Sequence, residues 1–76
     1  METYTNVRTP NHRYPLGTEV RHADSPAGQV DANIDEQTYR VYIEDGVLTA
    51  VATYTLVTLE GEYLEDVADN ADLVRA

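Results

Sequence analysis

The segment TYRVYIEDG, residues 38–46, decides the fold class that this sequence predicts. Its side chains alternate in character, with Tyr39, Val41 and Ile43 on one side, which is the two-residue period of a strand with one buried face. The dipeptide Asp45-Gly46 follows, and tight hairpin turns favour it because both of their central residues need positive φ. The segment therefore predicts a strand that ends in a hairpin, with Tyr39 in the core.

The residues on either side of this segment extend the strand pattern. Upstream, residues 29–35 alternate cleanly and predict a half-buried strand, which Asp35-Glu36-Gln37 is expected to end. Downstream, residues 47–59 are rich in β-branched side chains and are apolar on both faces. A strand of that kind is either sandwiched within the protein or exposed to a partner.

The remaining elements are shorter. Further strands are predicted at 16–22, 62–67 and 73–75, with Asp24 to Gly28 and Glu60-Gly61 as turns. One helical turn is expected at 69–72. A helix over 62–76 is the alternative, because its apolar residues also fit helical spacing; they are Leu64, Val67, Ala68 and Ala71.

Together these signals predict an all-β domain of about five to six strands at residues 16–76, with a short helical turn near the C-terminus. Residues 1–15 show no sustained period and predict an extended N-terminal arm, a disordered tail being the alternative. The arm side of the chain is weakly basic: residues 1–22 carry a net charge of +1 and residues 23–76 carry −10.

The composition of the chain predicts a protein adapted to concentrated salt. The chain has 14 acids, five Arg and no Lys, for a net charge of −9. A shell of short carboxylates holds hydrated cations and stays soluble where salt screens charge repulsion. We therefore expect a halophilic protein with K⁺ or Na⁺ loosely bound to its acidic surface. An ordinary acidic protein that binds a basic partner is the alternative.

The sequence contains no complete catalytic or metal-binding pattern. The chain has no Cys, and Ser25 lies in a predicted turn. The candidate ligands His12, His22 and Asp24 match no metal-binding spacing. Residues 31–35 resemble the start of a calcium loop but lack its later Gly and Glu. We therefore expect no enzyme, no cofactor and no metal site.

Nucleic acid and membrane partners are also disfavoured. Phosphate binding needs clustered basic residues, whereas residues 23–76 contain only Arg40 and Arg75. No run of about 18 apolar residues exists, and the N-terminus lacks the apolar region of a signal peptide. The expected location is the cytoplasm or a virion assembled there.

The tyrosines suggest contacts with other proteins. All six aromatic residues are Tyr, a residue enriched at interfaces because it joins a large apolar ring to a hydroxyl that tolerates water. Tyr42 lies beside Arg40 on the predicted polar face. The protein-interface candidates are Tyr4, Arg8, Arg13, Tyr14, Arg40, Tyr42 and Tyr54.

Four segments carry a family resemblance: Gly17 to Arg21, Gly28 to Val30, Tyr39 to Gly46 and Ala71 to Val74. Their series resembles the SH3-like small barrels, including the KOW and Tudor-type modules, over residues 16–46 and 69–75. The resemblance implies a small SH3-like β-barrel. The stretch 47–70 is longer than such barrels usually need, and the paired aromatics that bind SH3 and Tudor ligands are not identifiable here.

These features lead to two functional hypotheses. The first is a non-enzymatic structural or assembly protein of a haloarchaeon or its virus, such as a capsid-decorating or head–tail connecting component. It would work through protein partners, as a homo-oligomer or within a larger assembly. The alternative is a free cytosolic SH3-like adaptor or regulatory module that binds protein or RNA.

Overall fold

The computed structural model describes residues 9–25 and 28–76. Within these ranges the chain forms five strands and no helix. The strands are β1 (Glu19–Ser25), β2 (Gly28–Glu44), β3 (Val47–Thr58), β4 (Tyr63–Ala68) and β5 (Leu73–Arg75). The all-β prediction is therefore confirmed. None of the described residues builds a helix long and apolar enough to cross a membrane.

The described strands form one antiparallel sheet in the order β4-β3-β2-β1-β5. All five strands contribute to one core, whose members include Val20, Ile34, Leu56, Val67 and Leu73. In a flat sheet, the outer strands β4 and β5 would be about 19 Å apart, because neighbouring strands are spaced by about 4.8 Å. The sheet must therefore curl around its core.

A bulge in β2 replaces the break predicted at Asp35-Glu36-Gln37. Ile34 pairs with Leu56, and Glu36 pairs with Thr55, so β2 has one extra residue here. A bulge leaves that residue out of the ladder and bends the strand without ending it. The polar residues predicted to form a turn are therefore part of one long strand. The two strands predicted on either side of them are joined, and the described residues form five strands in total.

Beyond the bulge, β2 and β3 continue as a two-stranded ribbon, residues 39–52. Its turn has φ of 52° at Asp45 and 77° at Gly46, as the hairpin prediction requires. In the described chain, β1 pairs with β2 no further than Asn33, and β4 pairs with β3 no further than Thr53. The Asp69 N–H donates to the Ala52 carbonyl at the base of the ribbon, at 3.0 Å. Beyond that bond, the ribbon projects from the described body with neither edge paired to another strand.

The C-terminal segment is not helical, so the helical turn predicted at 69–72 is wrong, as is the helix considered over 62–76. Between β4 and β5 the Asn70 side-chain oxygen accepts the Asp72 N–H at 2.9 Å, and the Asn70 carbonyl accepts the Leu73 N–H at 3.1 Å. An Asn side chain that bonds nearby backbone competes with helix formation and closes a turn.

Candidate interaction surface

Tyr14 belongs to the core, although the sequence places it at the end of the arm. Its backbone N–H donates to the Tyr54 hydroxyl at 3.0 Å, and its own hydroxyl donates to the Leu73 carbonyl at 3.3 Å. Its carbonyl accepts the Gln37 side-chain N–H at 2.8 Å. Tyr14 is thus attached to β2, β3 and the start of β5.

The carboxylate of Asp69 lies at the centre of this attachment, with a side chain only 5% exposed. One oxygen accepts the Arg13 Nε–H at 2.6 Å. The other accepts the Arg13 backbone N–H at 3.0 Å and the Tyr54 hydroxyl at 2.7 Å. These three bonds compensate for burying the charge. We call Arg13, Tyr14, Tyr54 and Asp69 the anchoring network.

Ionisation in the network follows from these contacts. Burial raises the pKa of Tyr54 to about 12, and the hydrogen bond to Asp69 acts in the same direction. Burial also opposes ionisation of Asp69. The hydrogen bonds from Arg13 and Tyr54 outweigh that effect and hold the pKa of Asp69 below its ordinary value. At neutral pH the network therefore contains a neutral phenol and an ionised carboxylate.

We expect Tyr54 to ionise only as the pH rises through about 12. An unfolded tyrosine has a pKa of about 10. Since the folded pKa is raised, the stability that Tyr54 contributes is complete below pH 10 and is lost as the pH rises through about 12. Phenolate absorbance in multimolar KCl should show one late step, which Tyr54→Phe removes. Ionisation of all tyrosines together in the folded chain would contradict this assignment.

His12 continues the attachment outward from the core. Its Nε2 lies 2.8 Å from the Thr38 carbonyl oxygen and 2.9 Å from that of Thr53, so this nitrogen must carry the proton. The His12 ring lies 4.7 Å from the Tyr39 ring and 5.0 Å from the Tyr54 ring, measured between centroids. Residues 10–14 therefore run from the core to the base of the ribbon, where the Tyr39 hydroxyl donates to the Pro10 carbonyl.

The two faces of the ribbon differ in chemistry. Residues paired directly across an antiparallel ladder lie on the same face. One face consists of three apolar pairs, and we call it the apolar face; the pairs are Tyr39 with Ala52, Val41 with Ala50, and Ile43 with Leu48. The opposite face is mixed, and its pairs are Arg40 with Val51, Tyr42 with Thr49, and Glu44 with Val47.

The apolar face is open to solvent. Val41 is 55% exposed and Ile43 is 67% exposed, while Leu48 is partly buried. The prediction that Tyr39 packs in the core is wrong, because its side chain is 42% exposed. The alternation in residues 38–44 gave the faces correctly. Whether a strand face is buried depends on which other segments pack against it. Here the described part of the arm reaches only as far as Tyr39, so it leaves Val41 and Ile43 exposed.

The predicted interface residues are divided between different environments. Tyr4 and Arg8 lie outside the described residues. Arg13, Tyr14 and Tyr54 form the anchoring network with Asp69, and Tyr14 and Tyr54 are buried within the chain, so they are not surface groups. Arg40 donates to the Asp66 carboxylate at 3.0 and 3.1 Å, across the mixed face. Tyr42 lies exposed on that face.

Sequence reasoning missed Asp69, His12 and the exposed apolar face. Asp69 is one of six acids in residues 60–72, the others being Glu60, Glu62, Glu65, Asp66 and Asp72. No local signal separates it from those neighbours, because its burial depends on Arg13, 56 residues away. His12 had no recognisable motif. Its partners are backbone carbonyls, which a sequence pattern does not mark.

A cavity of about 420 Å³ runs along β4 and is also lined by His22, Asn70 and Asp72. The Nδ1 atom of His22 is buried without a hydrogen-bond partner. Within 9–25 and 28–76, no cluster of three or more His, Cys, Asp or Glu side chains is arranged to hold a metal ion. Among these residues the cavity therefore has no ligand set for a metal ion.

No protein-family model, curated protein or solved structure matches this chain. Its function is therefore inferred from the chemistry of its own surface.

Proposed function

We propose that this chain is a non-enzymatic assembly protein that makes protein–protein contacts in concentrated salt. A capsid-decorating or head–tail connecting component of a haloarchaeal tailed virus is the form we favour. The observation that carries the proposal is the exposed apolar face of the ribbon. Contiguous exposed apolar patches on soluble chains mark interaction sites, and isolated two-stranded hairpins are marginally stable without further packing.

The charge of the chain supports the high-salt part of the proposal. A net charge of −9 on 76 residues disfavours close association at low ionic strength. At multimolar salt the Debye length falls to about 3 Å or less, so the same carboxylates no longer repel a neighbour. Hydrated K⁺ or Na⁺ then occupies the acidic surface, and the absence of Lys fits that environment.

We propose further that the sheet is a small SH3-like barrel. Three features support this: the curled sheet, the pairing of β5 with β1, and the bulge that bends β2 around the core. The long ribbon is the addition to the simple barrel, and it accounts for the extra length noted at residues 47–70. On this reading, the barrel is the scaffold and the ribbon makes the contact.

The test is co-purification from the native host. A tagged chain isolated in multimolar KCl is expected to elute with a heavier particle at a fixed stoichiometry, and lowering the salt should release it. The apolar-face change Ile43→Glu should weaken incorporation, because Ile43 is 67% exposed on the face that carries the proposal; Tyr42→Ala, on the mixed face, tests the contact residue predicted from the sequence. Isolation as a free chain, with no fixed partner at any salt concentration, would overturn the proposal and favour the free adaptor.

A further inference from the structure

The apolar face needs an occupant that brings no charge to it. All six of its side chains are apolar, in a chain where 25% of residues are charged. Among the described residues, the arm covers this face only as far as Tyr39. A partner must therefore present an apolar surface of similar length and width. Burial of an unpaired carboxylate or ammonium there would be costly.

We infer that the occupant is the apolar face of a second copy of this chain, packed face to face about a two-fold axis. This inference rests on the proposed function and names one partner for it. Isologous two-fold pairing is the commonest form of self-association, because one self-complementary patch serves both chains. Two stacked ribbons would form a small sandwich with the usual spacing of about 10 Å between sheets.

The distribution of charge favours this pairing. Residues 39–52 carry Arg40, Glu44 and Asp45, for a net charge of −1, whereas the rest of the chain carries −8. The ribbon is thus less acidic per residue than the rest of the chain. If the two ribbons run in opposite directions, the acidic bodies lie at opposite ends of the pair. The described residues extend 46 Å along their longest axis, so this separation is large compared with the Debye length.

The sizes of the side chains also suit an antiparallel arrangement. The pair of Val41 and Ala50 is central, so it meets its own copy at the axis. The inner pair, Tyr39 and Ala52, meets the outer pair, Ile43 and Leu48, of the other chain. Ala52 is only 5% exposed within its own chain, so the ring of Tyr39 is the part of the inner pair that meets the aliphatic groups of the other chain.

The size of the apolar face determines how strongly two copies of the chain are expected to associate. The face is about 16 Å long and about 10 Å wide, from a rise of about 3.3 Å per residue over residues 39–43 and the spacing of two strands. Stacking two such faces buries on the order of 300 Å² in total, well below the roughly 1,200 Å² of stable complexes. We therefore expect a weak, reversible dimer that forms when salt screens the two bodies.

Sedimentation equilibrium of the full chain, from about 10 µM to about 1 mM in multimolar KCl, tests the inference. The wild type should shift from monomer to dimer, and lower salt should shift it back. Val41→Glu should weaken the dimer at least about tenfold, because it places a carboxylate at the axis. Val47→Glu is the matched control: Val47 is 61% exposed on the opposite face of the same ribbon, and its change should leave the dimer unaltered.

Methyl NMR gives a readout that does not depend on a variant. Signals of Val41 and Ile43 should move with protein concentration, and those of Val47 should not. A wild type that stays monomeric throughout would overturn the inference, whether residues 1–8 or another protein then proves to cover the face. So would equal weakening by both Glu variants. The proposed function is judged separately by co-purification, so a monomer that still enters a particle rejects only the second-copy pairing.

Discussion

Replacement of Asp69 with alanine is expected to lower the free energy of unfolding by about 2–4 kcal/mol, because a buried donor left without its acceptor costs about 1–3 kcal/mol and Asp69 also accepts from the half-exposed Arg13. The change removes the acceptor for the Arg13 side chain, the Arg13 backbone N–H and the Tyr54 hydroxyl at once. A domain of this length has a total stability of about 4–11 kcal/mol. Urea denaturation at constant high salt should show a much lower midpoint for the variant.

Asp72 provides the matched control for this change. It lies in the same turn and is exposed, so Asp72→Ala should alter stability by no more than about 0.5 kcal/mol. Asp69→Asn should lower the free energy of unfolding by an amount between those of the two alanine variants, because the amide keeps one acceptor oxygen but turns an N–H₂ group toward a donor. Equal effects of Asp69→Ala and Asp72→Ala would show that the anchoring network does not stabilise the fold.

The dependence of folding stability on pH in the acid range provides a second test of the same prediction. The pKa of Asp69 is lowered in the folded chain, so unfolded Asp69 binds its proton first as the pH falls. Its contribution is therefore complete above the unfolded carboxyl pKa of about 4 and is lost as the pH falls through the folded value. Asp69→Ala should show a smaller loss of stability across that range than the wild type.

Deletion of residues 1–14 is expected to cost at least about 4 kcal/mol and to leave little folded protein. The deletion removes the Tyr14 ring from the core and both Arg13 bonds from Asp69, and it also removes the His12 contact with the ribbon base. The sequence predicted a separable arm over residues 1–15, which would have left a folded domain. Circular dichroism and urea denaturation distinguish the two outcomes.

The control is a chain that begins at Thr9. It keeps every contact of residues 10–14 described above, so its urea midpoint should lie well above that of the chain lacking residues 1–14. A folded chain lacking residues 1–14, with the same midpoint, would show that the anchoring network is dispensable. The comparison also locates the boundary between arm and domain, which belongs before residue 10.

The parts of the fold that were predictable are those set by neighbours in sequence. Alternation in residues 38–44 and the Asp45-Gly46 turn needed no distant information, and the last strand at 73–75 was placed correctly. The bulge was not predictable, because polar residues at 35–37 suit a turn or a bulge equally well. Burial of Asp69 and exposure of Tyr39 depend on where distant segments of the chain pack, and the local sequence pattern does not determine that packing.

The extra residue in β2 also determines the direction in which the ribbon points. Loss of either Asp35 or Glu36 from the gene would leave Ile34 opposite Leu56 and Gln37 opposite Tyr54, so every pairing on either side would survive. The bend that this bulge makes between body and ribbon would be reduced, while the register shift in the pairing of β3 with β4, between Tyr54 and Leu56, would remain. Deletion of a single codon could therefore change the direction of the ribbon during evolution, while the core residues and the side chains of the apolar face stay the same.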